Sequence, residues 1–319
     1  MSMLSRVAEH LYWMARYVER AENTARVVMV NANLLLDLPK GVAPGWAPLI
    51  WITGFTEPFE ARYKSYGERQ VVKFLLGDED NTGSIVSSLR GARENARAIR
   101  DIMPREAWEQ LNSLYLTARA QVADGLTKRG RHSYLRQIIQ GSQGLTGLLG
   151  GTMNHDQGYY FLRVGRNLER ADMTTRLIDV RSADLLPAES ELRPFETIQW
   201  VSVLRSLTAY QMYRRSRQVR VTRSEVLRFL FRSDEFPRAV SYCMNVAEHS
   251  ISALPRNEDA LRVIGRIRRQ LQEAEIGSLQ QNDLHAYVDE LQLSLGELHS
   301  EIARTWFLPE EVSAQSQSA

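Results

Sequence analysis

Apolar residues recur every three to four positions through almost every long segment of the 319-residue chain. This is the period of helices with one face on a core. The pattern predicts helices over 3–37, 57–76, 83–102, 104–124, 130–150, 155–183, 194–218, 222–231, 235–253, 256–274 and 281–307. Breakers separate them: "LPKGVAPG" (Leu38–Gly45), "GDEDNTG" (Gly77–Gly83), Pro104, "DGLTKRG", Pro187, Pro237 and Pro255. No run alternates as a half-buried strand does, so the expected fold class is all-α, a large helical bundle. The last residues, 309–319, end in the polar "SAQSQSA" and are expected to be disordered.

One phrase occurs twice. "RYVERAENTAR" (Arg16–Arg26) returns as "RNLERADMTTR" (Arg166–Arg176), 150 positions on, with Arg16/Arg166, Glu19/Glu169, Arg20/Arg170, Ala21/Ala171, Thr24/Thr174 and Arg26/Arg176 identical. Glu22 matches Asp172, Ala15 matches Gly165 and Val18 matches Leu168. A weaker echo at an offset of 155 aligns "VVKFLLGDEDNTGSIVSSL" with "VLRFLFRSDEFPRAVSYCM". A solenoid repeats every 20–50 residues or so; this spacing instead suggests duplicated halves, 1–150 and 151–308, packed as one globular unit about a pseudo-twofold. Their charged central helices would face each other.

Composition narrows the class. Hydrophobic residues make up 44% of the chain, and 40 basic residues nearly balance 38 acidic ones for a net charge of +2. No overall field therefore draws in nucleic acid or acidic lipid. Only Lys40, Lys64, Lys73 and Lys128 among the basic residues are lysines; arginine suits ion pairs away from water, because its fork grips carboxylates at two points. Cys243 is the sole cysteine, which excludes an intrachain disulfide and a cysteine-rich metal site. Its setting, "VSYCMNV", reads as core. The N-terminal "MSMLSRVAEHLYWMARYVER" carries acids early and does not resemble a secretory signal. No apolar run reaches the roughly 18 residues of a membrane span, and the chain reads as cytoplasmic.

The repeated charges occupy an unexpected place. On a helical wheel Leu11, Met14, Ala15, Val18, Ala25 and Met29 form one apolar face, with Glu22 inside it and Glu19 and Arg26 flanking it. In the second copy Asp172 falls among Phe161, Val164, Leu168 and Thr175, flanked by Glu169 and Arg176. An unpaired carboxylate there would cost several kcal/mol or be driven to protonate. Pairing four residues along is one remedy; interleaving of Glu19, Glu22 and Arg26 with Glu169, Asp172 and Arg176 is another. Three readings stand: an ion-pair network that docks the halves, a polar pocket for a charged ligand or peptide group, and acid–base catalysis. The candidate set is Arg16, Glu19, Arg20, Glu22, Arg26, Arg166, Glu169, Arg170, Asp172 and Arg176.

Other constellations are weaker. Di-iron bundles use Glu-x-x-His pairs, and none of the six histidines has an acid three residues before it; no metal or other cofactor is expected. His10 beside Glu9 and His155 beside Asp156 read as packed or solvated residues. No His-Glu-x-x-His or Gly-x-Ser-x-Gly occurs. The glycines of "GSQGLTGLLGG" (Gly141–Gly151) lack the Gly-Lys-Ser/Thr of a phosphate loop and read as a close-packing ridge. "ARENARAIRD" offers Arg93 and Arg97 to a partner or to solvent. "YRRSRQVRVTR" clusters Arg214, Arg215, Arg217, Arg220 and Arg223, a surface for an acidic partner rather than nucleic acid, which would call for stacking aromatics beyond Tyr213.

"MLSRVAEHLYWMARYVERAENTAR" resembles the N-terminal signature of the bacterial alpha-E family. "GARENARAIRDIMPREAWEQLNSLYL" (Gly91–Leu116), "GGTMNHDQGYYFLRVGRNLERADMTTRLIDV" (Gly150–Val180) and "FRSDEFPRAVSYC" (Phe231–Cys243) resemble it too. The likeness spans essentially 3–308 and departs at Ala15, where the family usually has glycine. It implies a gene beside a circularly permuted ATP-grasp protein and a transglutaminase-like protease, hence peptide or amide-bond chemistry. The expected function is a non-catalytic binding or scaffolding subunit of an ATP-grasp peptide or amide ligase, with a homo-oligomer possible. The alternative is an enzyme of peptide or amide chemistry that uses the buried Glu/Asp/Arg cluster. A pure scaffold without ligand would need no pocket between the two charged helices.

Overall fold

The computed structural model describes residues 5–38, 45–182, 193–217 and 220–308. Among them are fifteen α-helices and no strand. They are α1 (Ser5–Asp37), α2 (Ala47–Thr53), α3 (Thr56–Glu60), α4 (Glu68–Leu76), α5 (Ile85–Ala98), α6 (Arg105–Ala120), α7 (Val122–Leu126) and α8 (Lys128–Thr152). There follow α9 (Gln157–Ser182), α10 (Arg193–Ser206), α11 (Tyr210–Arg217), α12 (Arg223–Arg232), α13 (Val240–Ser252), α14 (Glu258–Glu273) and α15 (Gln281–Ile302). The last runs on into a π-helical turn, Ala303–Phe307. The expected tail, 309–319, and Pro187 lie outside the described residues. No helix among those described is long and apolar enough to cross a membrane.

Three predicted helices break, and a fourth starts late, where local backbone overrides the apolar period. Helix 57–76 divides into α3 and α4 around Gly67, the extended N-cap of α4. Helix 104–124 divides at Gln121 into α6 and α7. Helix 194–218 divides into α10 and α11 at Thr208, whose φ of 55° is left-handed; an αL residue ends a helix and redirects the chain. Helix 235–253 starts only at Val240, after Pro237. The connection before residue 57 also holds an unforeseen helix, α2, started by Pro48 in its first turn and closed by Gly54 at φ 75°.

Packing follows one scheme in both halves. α1 lies against α9 along the centre of the molecule. α5 and α8 cover α1, as α13 and α15 cover α9; α6 backs α5 and α8, as α14 backs α13 and α15. The two short elements that follow the central helices cross over: α2 packs on α9, and α10 packs on α1. Along its middle α1 is therefore enclosed, and all residues from Ala21 to Val28 are buried. α1 and α9 come close together at Gly165. A Cβ there would stand 2.4 Å from the Tyr12 carbonyl oxygen, so only glycine lets the backbones approach this far.

The glycine ridge of α8 packs in part. Gly141 meets Leu114 and Gly144 meets Gln110, both on α6, whereas Gly147 and Gly151 face open space. One continuous apolar core joins both halves, from Leu11 and Tyr12 at one end of the chain to Trp306 and Phe307 at the other.

Candidate functional site

The repeated charges meet where α1 crosses α9, and they pair reciprocally. Glu169 on α9 accepts from Arg20 Nε at 2.6 Å, Arg20 Nη2 at 3.0 Å and Arg16 Nε at 2.7 Å, all from α1. Glu19 on α1 accepts from Arg170 Nε on α9 at 3.0 Å. The glutamate of each Glu-Arg dipeptide is thus held by the arginine of the other. Both acids are almost fully enclosed, with side chains 1% and 4% exposed for Glu19 and Glu169. Arg166, the counterpart of Arg16, lies half-buried near Glu19; desolvation and then Arg170 lower its pKa.

The two remaining repeated acids pair locally. Glu22 accepts from Arg26 Nη2 at 2.6 Å, and Asp172 accepts from Arg176 Nε at 2.9 Å. Neither reaches across to the opposite copy, so the interleaving of the two helices involves Glu19 and Glu169 only. A further arginine completes the Glu22 side. Arg238, from the loop ahead of α13, donates through Nη2 to Glu22 at 2.9 Å and through Nη1 to Asn23 at 2.6 Å. Its Nη1 also stands 2.6 Å from Glu19 Oε1, a close ion contact without hydrogen-bond alignment. Arg26 donates to the Thr208 hydroxyl at the αL break.

A cavity of about 340 Å³ opens beside Glu169 and Asp172. Arg16, Arg20 and Arg176 line it together with Thr53, Gly54 and Phe55 of the crossed-over α2 segment, and Leu295 and His299 of α15. His299 is held by Tyr12, whose hydroxyl lies 2.8 Å from Nδ1 and accepts from Arg16 Nη1 at 3.3 Å. Burial, and next the Arg16 charge, push His299 down to about 4, so the ring is neutral near pH 7. A second cavity of about 220 Å³ lies on the other side of the crossing, lined by Glu22, Arg26, Arg170, Thr208 and Arg238.

The acids of the crossing are set for pairing rather than proton transfer. Burial raises the Glu169 carboxyl, but Arg20 and Arg16 outweigh it and hold the group near 2. Glu19 likewise stays below the usual carboxylate range, because Arg170 and Arg238 overcome its burial. A general acid or base works best with its pKa near the operating pH, which neither group has.

The remaining candidates lie elsewhere. Arg93 is used within the fold: its Nε donates to Asn112 at 2.7 Å, and its guanidinium stacks over Trp108 and Tyr115. Arg97 is exposed and pairs with Glu94. Arg214 lies over the Tyr210 ring, Arg215 is exposed, and the side chain of Arg217 falls outside the described residues. His10 meets Asn95, and His155 stacks on Tyr159. Cys243 is buried, and burial pushes its thiol up to about 12. Among the described residues one trio has metal-ligand spacing, Asp179, His285 and Asp289; it is on the surface, and each imidazole nitrogen already faces a carboxylate.

Sequence reasoning missed Arg238, His299 and Tyr12. Arg238 carried a signal, since the 155-residue echo sets it opposite Gly83. His299 did not, because its partner Tyr12 is 287 positions away.

A family model named Alpha-E, described as a predicted alpha-helical domain with a conserved ER motif, matches residues 3–307. The chain belongs to this family. Uncharacterised proteins of Mycobacterium bovis and Mycobacterium tuberculosis are 24% identical over 276 residues, 81% of this chain and 30% of theirs. The chain thus spans under a third of the length of these relatives. No solved structure matches it.

Proposed function

We propose that the protein is a non-catalytic binding subunit, which holds a small ligand or peptide end in the cavity beside Glu169. The observation that carries this reading is the cavity itself: about 340 Å³ of space lined by three arginines of the α1–α9 crossing. That is the lower end of the range for small-molecule sites. A pure scaffold has no use for such a space, and an enzyme built on these acids would not clamp Glu19 and Glu169 in their ionised form. On this reading the two halves descend from one duplicated unit, and one of the two equivalent cavities has been kept for a ligand.

The wider setting rests on the resemblance in sequence. The protein acts in the cytoplasm with a circularly permuted ATP-grasp ligase in peptide or amide-bond chemistry, and a transglutaminase-like protease processes the product. The test is co-purification of the tagged protein with an ATP-grasp protein encoded beside it, with ATP hydrolysis assayed with and without the subunit. A stable complex with altered turnover is expected. No complex and no effect would remove the ligase partnership. Catalytic turnover by the purified protein, lost in the still-folded Glu22→Gln or Asp172→Asn variant, would restore the enzyme reading.

A further inference from the structure

The donors and acceptors around the larger cavity are unevenly matched. Both oxygens of Glu169 are taken by Arg20 and Arg16, and Asp172 holds Arg176 through Oδ2. Among the described residues, Nη1 and Nη2 of Arg176, Nη1 of Arg20 and Nη2 of Arg16 have no hydrogen-bond partner. Three guanidinium groups line the space against two carboxylates, and His299 adds a neutral ring. Phe55, Met173 and Leu295 add apolar surface to the same lining.

From this we infer that the cavity binds the anionic group of a small organic molecule, a carboxylate or a phosphate, with the rest of the molecule against the apolar surface. The inference rests on the reading of the cavity as a ligand site and names what that site recognises. Guanidinium N–H pairs match the two oxygens of a carboxylate or phosphate. One negative charge equalises the count. Because Arg16 and Arg20 are held on Glu169 beforehand, they need little ordering when the anion arrives. A cationic ligand finds no comparable place, since Glu169 has no free oxygen and Asp172 offers only Oδ1.

Thermal melting of the full chain, titrated with N-acetylleucine, N-acetylleucinamide, inorganic phosphate and sodium chloride at matched ionic strength, tests this. Concentrations up to about 50 mM saturate a millimolar site. A saturable rise in melting temperature is expected with N-acetylleucine or phosphate, and the stronger of the two identifies the class of anion. Binding should weaken about tenfold for the amide and for the Arg176→Gln variant, the loss of one charge-assisted contact. Arg176 is half-buried at the rim, so this variant keeps the fold. If the amide binds as well as the acid, the anion inference fails while the ligand site stands. Shifts that only follow ionic strength and are unchanged in Arg176→Gln also overturn the inference. If no probe stabilises the protein, the inference and the ligand site fall together.

Discussion

The two sides of the α1–α9 crossing share one charged frame and differ in what completes it. Glu169, Asp172, Arg176 and Arg20 border the larger cavity; Glu22, Arg26 and Arg170 hold the places of Asp172, Arg176 and Arg20 around the smaller one, with Glu19 buried behind them. Each is closed by a left-handed break, Gly54 on one side and Thr208 on the other. The divergence lies in the covering loops. On the Glu22 side Arg238 reaches in and binds both acids, whereas its counterpart is Gly83, whose missing side chain makes room for the Phe55 ring. Glu169 takes its second cation from Arg16 instead. The acids of one side thus share a third arginine from within the chain, and the other side keeps the larger open space. Repetition of a motif does not imply repetition of a role.

Removing Arg238 should break this comparison most severely. Arg238→Met leaves Glu19 and Glu22 buried and short of a cation, so a loss of about 3–5 kcal/mol is expected, measured by urea unfolding. A loss below about 1 kcal/mol would mean that water reaches these acids. Next comes Gly165→Ala, whose Cβ must push against the Tyr12 carbonyl. It should cost about 1–3 kcal/mol as the central helices separate, while Ala15→Gly at the matching position should cost much less.

Acid titration probes the larger-cavity side without changing a core residue. His299 has a folded pKa near 4, below its ordinary 6.5, so the unfolded chain binds the extra proton and stability falls as pH drops from 6.5 to 4. Glu169, near 2 instead of 4.5, adds a second loss as pH falls through 4.5 towards 2. Melting temperatures between pH 7 and pH 3 should therefore decline in two stages. His299→Gln should flatten the first stage alone; an unchanged profile would show that the ring titrates freely. The smallest expected effect belongs to Asp172→Asn. Its side chain is 24% exposed and its pair with Arg176 is half-buried, so a change within about 1 kcal/mol is expected, against a much larger one for Glu22→Gln.

Much of this was legible in the sequence, for reasons that differ by residue. Helical period and the absence of alternation gave the all-α class. The pairs Glu22–Arg26 and Asp172–Arg176 followed from spacing along one helix. The exchange of Glu19 and Glu169 between Arg170 and Arg20 did not, because it depends on how α1 rotates against α9, which Gly165 decides through backbone contact. The breaks at Gly67 and Thr208 were hidden because apolar period continues across them while the backbone turns. Arg238 was written opposite Gly83, but only the fold shows that its guanidinium travels to acids 216 and more positions earlier.

The crossover of α2 onto α9 and of α10 onto α1 also bears on how the protein is made. A ribosome releases the chain from its N-terminus, so α1 emerges with Glu19 and Glu22 long before Arg170, α10 or Arg238 exist. Glu22 meets Arg26 within its own helix, but Glu19 has no counter-charge until Arg170 follows, and neither acid has its full set of cations until Arg238 does. Contacts so distant in sequence slow folding and lengthen the exposure of unburied surface. A nascent chain halted after α8 should therefore recruit chaperones, whereas one released past α13 can close in a single concerted step.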